Sequence, residues 1–209
     1  AEVVPWSGWW WPMRADGVAA GGTDSPMAKY SRAFGLGDAP VQWERQNHGS
    51  GGSRPPEAWW GHCNGWAAAA ILEPVPARSV QRNGVTLTAT DVSGLLSSVY
   101  FGCRAIGLDD RYAGADEPAV DSYGRPTDRT YRDVNPAVLH LLACNRIGVD
   151  KKAFVADISP GSQVWNHPVW AFEVRELREL RDGAAAVEAI TAKSHSGPYP
   201  FHPAAARFF

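Results

Sequence analysis

Trp59-Trp60-Gly61-His62-Cys63-Asn64-Gly65-Trp66, running on into Ala67-Ala68-Ala69-Ala70-Ile71-Leu72-Glu73, is the stretch on which the reading of this chain turns. The alanine run and Ile71-Leu72 favour helix, and Pro74 stops it. The segment therefore reads as a tight turn feeding a helix, with Cys63 as the first helical residue. A sulfur placed there meets the positive end of the helix dipole and the unpaired N–H groups of the first turn. Both favour an anionic nucleophile, and the same donors suit an oxyanion. Gly65 costs about 1 kcal/mol relative to alanine inside a helix, so either another backbone comes close to it or the helix starts loosely. The competing reading is a structural cysteine packed between tryptophans, and the rest of the chain has to decide between the two.

At 209 residues the chain is long enough for a sizeable core and reads as one domain over 1–209. Within it, residues 1–24 form a Trp-rich N-terminal segment and 107–132 an acidic loop insertion. The net charge of −2 gives no electrostatic case for nucleic acid or an anionic membrane. No apolar run reaches the roughly 20 residues that span a bilayer. Ten Trp, 21 Gly and 16 Pro describe a rigid, loop-rich α+β protein rather than a helical bundle. Ala1-Glu2-Val3-Val4-Pro5 has neither an initiator Met nor a signal pattern, as in a mature chain after signal removal or a trimmed one. The cysteines are Cys63, Cys103 and Cys144. In an exported protein an odd count leaves one thiol over. Cys103–Cys144 is then the expected disulfide and Cys63 the remaining thiol; in a cytoplasmic protein all three stay reduced.

Along the chain, Trp6, Trp9, Trp10 and Trp11 are expected to pack across the domain rather than to form a tail. Ser25 caps a short helix that has Pro26 at its first position and runs to about Phe34. Residues 35–56 read as a long loop leading into the cysteine turn. Val85–Thr88 reads as a strand, and residues 91–100 as a helix capped by Thr90 or Asp91. The acidic insertion offers carboxylates to a calcium ion but lacks EF-hand spacing, so it reads as a solvated loop and no cofactor is expected. Asn135 caps a helix that starts at Pro136, carries His140 and Cys144 one turn apart, and ends at Gly148. Residues 153–158 and 164–174 form an antiparallel pair, with Pro168 marking an edge strand or a bulge. Asp182-Gly183 signals a hairpin into 186–192, and from Ser196 onward the chain reads as coil.

A cysteine nucleophile needs a base in hydrogen-bond reach and a third group to orient that base. His62, next to Cys63, is expected to point away and line the cleft. His48, His195 and His202 fall in coil. His167, on a strand, and His140, on a helix, remain; His140 has Asp157 as an orienter in Cys–His–Asp order. Each histidine is otherwise a core residue satisfying a hydrogen bond. No Cys-x-x-Cys, His-Glu-x-x-His, P-loop or Gly-x-Ser-x-Gly pattern competes.

Val164-Trp165-Asn166-His167-Pro168-Val169, with Phe172, Val174 and Glu176 behind it, resembles the thirteen-residue elicitor peptide of the oomycete cell-wall transglutaminases, V-W-N-Q-P-V then R-G-F-K-V-Y-E. The Trp-Trp-Gly-x-Cys-x-Gly-Trp-Ala run, the Asn-Pro helix with His140 and the aromatic start around Trp9–Pro12 are similar to bacterial members of that family. The resemblance implies a papain-like core: a nucleophile cysteine at the N-terminus of a central helix, packed on an antiparallel sheet, with a base on a later strand. It also implies a protein-glutamine γ-glutamyltransferase that acts on protein or peptide Gln and Lys and works outside the cell or in the envelope. Where the elicitor peptide has Gln this chain has His167, which raises His140 with Asp157 as the base and orienter beside Cys63. His167 stays as the alternative, and Trp60 and Trp165 shape the substrate side. A cysteine peptidase or amidase on the same scaffold, and a Trp-rich wall-binding module with a structural Cys63, are the other readings.

Overall fold

The computed structural model describes residues 1–108, 119–122, 127–128, 134, 136–157 and 163–173, and the backbone of 187–191 and 206–208. The chain gathers into two compact units. One comprises Pro5–Cys103 with Lys193–His202; the other comprises Arg104–Ala192 with Ala1–Val4 and Pro203–Phe209.

The first unit is mostly helical. Its N-terminal tryptophans are core residues, as expected: Trp6 packs on Trp66, Ala69 and Ala70, while Trp11 joins Val18, Ala19 and Met27. Helix α1 (Pro26–Phe34) is capped by the Ser25 side chain, which accepts the Ala28 N–H at 3.2 Å, and ends on Gly35 at φ 66°. The supposed loop over 35–56 contains a second helix, α2 (Ala39–His48), with Pro40 in its first turn. His48 therefore closes a helix and is not in coil. Strands β1 (Val80–Arg82) and β2 (Val85–Leu87) form a hairpin around Asn83-Gly84, both at positive φ as a two-residue primed turn requires.

Helix α3 (Cys63–Leu72) begins at the cysteine, with His62 at the N-cap position. It packs on α4 (Ala89–Val99) so closely that a Cβ on Gly65 would run into the Ser97 carbonyl oxygen. That approach is what a mid-helix glycine foretells. Gly65→Ala gains about 1 kcal/mol of helix propensity but forces the helices apart, an overpacking cost of about 1–3 kcal/mol. A net loss of stability in urea denaturation is expected, and a gain would contradict the close crossing. Helix α4 is capped by Thr88, not by Thr90 or Asp91: Thr88 and Asp91 exchange a complete capping box. Asp91 also binds Lys29 of α1 at 2.9 Å.

The second unit carries α5 (Pro136–Ala143) and a four-stranded antiparallel sheet in the order β3-β4-β5-β6. The strands are β3 (Phe154–Asp157), β4 (Asn166–Glu173), β5 (Val187–Thr191) and β6 (Ala206–Phe208). The helix expected to run to Gly148 stops at Ala143 and loosens into a π-helical stretch, Cys144–Val149. The β3–β4 pair is antiparallel as read. β4 lies between β3 and β5, so Pro168 is not on an edge; the register instead shifts between Val169 and Ala171, the bulge alternative. β6 interrupts what reads as terminal coil. Ile147 and Val169 form the core here, with Phe154, Ala156 and Phe172 against them. The Asn135 cap, most of the acidic insertion and the turn at Asp182-Gly183 lie outside the described residues, as do His195 and His202. Cys103 and Cys144 are thiols, not a disulfide: Cys103 is exposed and Cys144 half-buried.

Candidate active site

The cysteine turn is held by a strand-like clamp. His62 N–H donates to the Trp10 carbonyl at 2.5 Å, Met13 N–H donates to the Trp60 carbonyl at 2.9 Å, and Pro12 bridges Gly61. Gly61 lies flat against Trp10, where no side chain fits. Cys63 is buried, with 7% of its surface exposed. Asn64 Nδ2 donates to the Phe101 carbonyl at 2.8 Å and ties the first turn of α3 to the segment after α4. Trp60, three residues before Cys63, is exposed.

Under the turn is a polar cluster that sequence reasoning missed. Glu44 and His48 face one way on α2, and His62 meets them. His48 Nδ1 hydrogen-bonds Glu44 Oε2 at 3.1 Å. His62 Nε2 lies 3.0 Å from Glu44 Oε1. That contact is short but misaligned, because neither His62 ring nitrogen has a hydrogen bond among the described residues. Val18 N–H reaches Glu44 Oε1 at 3.2 Å, and Ser98 Oγ reaches Oε2 at 3.3 Å. His62 and Glu44 are both fully buried, so His62 does not line an open cleft. Burial alone pushes the Glu44 carboxyl up. The His48 hydrogen bond and the charge of the two imidazoles outweigh it and hold the group down at about 2, so Glu44 is an anion near neutral pH. The readable signal was Glu44-x-x-x-His48, an i,i+4 pair behind the helix start at Pro40.

The other site candidates lie in the second unit. His140 Nε2 is 3.5 Å from the Cys144 sulfur on its own helix, and its buried Nδ1 makes no hydrogen bond among the described residues. Asp157 Oδ1 accepts the Trp165 backbone N–H at 3.1 Å. Asp157 stands opposite Asn166, whereas His167 stands opposite Ala156, so the sheet alternation puts Asp157 and His167 on opposite faces. Asp157 thus does not orient His167 across the strand pair. Trp165 Nε1 donates to Gln163 Oε1 at 3.1 Å.

His167 is buried, and loss of solvation pushes its imidazole down to about 4. The unfolded chain binds this proton as pH falls through about 6.5 and the folded one only near 4. Stability therefore drops across that window and levels below it. The full effect is on the order of 3 kcal/mol. His167→Gln is expected to flatten this part of the stability–pH curve in urea titrations; an unchanged slope would show that another group carries it.

A mixed helix-and-sheet chain in which a helix opens on a buried cysteine is a protein of the α+β class. The sequence profile described as Transglutaminase elicitor matches residues 38–209, and the chain belongs to that family. Among solved structures it is similar to the GP42 transglutaminase from Phytophthora sojae, with a TM-score of 0.66 and 25% sequence identity. The match covers 91% of this chain and 66% of that one, so this chain spans just under two thirds of the length of its structural relative. No curated protein sequence matches it. No helix among the described residues is long and apolar enough to cross a membrane.

Proposed function

We propose that this chain is a cysteine-dependent acyltransferase that joins protein glutamine to lysine, acting outside the cell or in the envelope. The observation that carries the reading is Cys63 as the first residue of α3, in a chain of the transglutaminase elicitor family. The Cys63 thiolate attacks the carboxamide carbon of a glutamine, and the oxyanion forms toward the first-turn N–H groups of α3. The C–N bond breaks as an imidazolium protonates the leaving ammonia, which leaves a thioester. A lysine amine attacks that thioester, gives its proton to the imidazole and releases the thiolate as the isopeptide bond forms. Water in place of the amine yields glutamate.

For the base the leading candidate is His140, with Asp157 orienting it and His167 as the alternative. The His140 Nδ1 is buried and makes no hydrogen bond among the described residues, which leaves it available to an orienting carboxylate. Trp60 and Trp165 are assigned to substrate contact. The test is incorporation of a labelled primary amine into a glutamine-bearing protein, compared across His140→Ala and His167→Ala. The true base should lose about 10²–10⁴ in rate and the other variant little. Absence of incorporation by the wild-type chain under all conditions, with Cys63 intact, would sink the reading.

A further inference from the structure

Glu44, His48 and His62 each present one donor atom, and the three atoms lie within 4.8 Å of one another in a fully enclosed site. We infer that this cluster is a binding site for a divalent transition-metal ion of the zinc type, which locks the cysteine turn to α2. Two imidazoles and one carboxylate are a ligand set that zinc accepts, whereas hard cations such as calcium call for oxygen ligands throughout. His62 Nε2 lies 3.0 Å from Glu44 Oε1 and His48 Nδ1 lies 3.1 Å from Glu44 Oε2, so the imidazoles meet opposite oxygens of one carboxylate. Around one ion at about 2.1 Å, the three donor atoms, which lie within 4.8 Å of one another, settle about 3.4 Å apart.

Two features favour a metal over a proton-shared triad. The His62 imidazole is 0% exposed, yet its Nε2 comes to 3.0 Å from Glu44 Oε1 without hydrogen-bond alignment. A nitrogen lone pair directed at a shared ion needs no such alignment. The Glu44 carboxylate is buried, and among the described residues no lysine or arginine pairs with it, so the imidazoles or a bound cation must balance its charge. Gly17, at φ +57°, brings its backbone directly against the donors. A Cβ there would lie 2.6 Å from Glu44 Oε1, 2.9 Å from His62 Nε2 and 3.1 Å from the His48 carbonyl oxygen. Because His62 immediately precedes Cys63, the ion would fix the entry to α3 from inside the protein.

The inference is independent of the proposed acyl transfer, and its readout is metal content rather than activity. The full chain is stripped with chelator, dialysed against Zn²⁺ and measured for bound zinc by mass spectrometry. One equivalent per chain is expected. It should be retained by Cys63→Ser and weakened at least tenfold by His48→Phe, which keeps the ring packed on Phe101 but removes the ligand. Zinc X-ray absorption on the wild-type chain gives a second reading that needs no variant: nitrogen and oxygen neighbours with imidazole outer shells, and no sulfur. Sulfur in that first shell, loss of the zinc in Cys63→Ser, unchanged binding in His48→Phe, or no zinc bound at all would each overturn the assignment.

Discussion

Replacing Cys63 by alanine is expected to lower amine incorporation at least a thousandfold, to the level of the uncatalysed background. In the proposed mechanism the thioester is the only step that activates the glutamine carbonyl, so removal of the sulfur would abolish the intermediate rather than slow one of several routes. Cys63→Ser keeps the shape but offers a hydroxyl that does not ionise near neutral pH, and it should be almost as inactive. Packing changes little. Cys63 is buried, but losing one sulfur atom costs on the order of 1 kcal/mol, which thermal unfolding would register separately from activity. Cys103→Ala and Cys144→Ala serve as controls, since both residues are also thiols. Activity that survived Cys63→Ala but fell with Cys144→Ala would move the nucleophile to the thiol beside His140.

The largest stability change is expected at Glu44. Its carboxylate sits at zero exposure between two imidazoles, with the Val18 N–H and the Ser98 hydroxyl on the same two oxygens. Glu44→Ala strands all four partners in a closed site, and breaking a buried ionic contact from one side costs about 3–5 kcal/mol. Glu44→Gln keeps the size and one acceptor oxygen and should cost distinctly less. Urea unfolding at neutral pH separates the two. A loss below about 1 kcal/mol for the alanine variant would mean that the cluster relaxes or admits water, and so does not hold the cysteine turn.

Local rules were legible wherever a single residue decides a boundary. Ser25-Pro26 starts α1 and Pro74 follows α3 because capping oxygens and proline geometry act within one turn of chain. Gly65 left open a close backbone or a loose helix start, and the contact with Ser97 of α4, 32 residues on, decides for the first. Helix α2 was hidden because glycines flank it and its apolar stripe is weak; with little burial per turn, tertiary packing supplies what periodicity does not. The Thr88-x-x-Asp91 box was readable, but the nearer Thr90 masked it. The Glu44–His48–His62 cluster could not be read as a unit. Its members come from a helix and a distant turn, and only the fold closes that distance. Cys103–Cys144 failed as a pairing because an odd cysteine count constrains how many thiols pair, not which ones.

The clamp between residues 10–13 and 60–62 has a consequence for how the chain acquires its site. The turn that presents Cys63 is completed by backbone groups roughly fifty residues upstream, so α3 can nucleate from its alanines well before its first residue is in position. The placement of Cys63 therefore depends on long-range contacts, although its helix is among the most local elements. Trp10, Met13, Gly17 and Val18 also precede residue 38, where the family profile begins. A chain cut to the matched region would keep the helix and the cysteine and lose the partners that aim them.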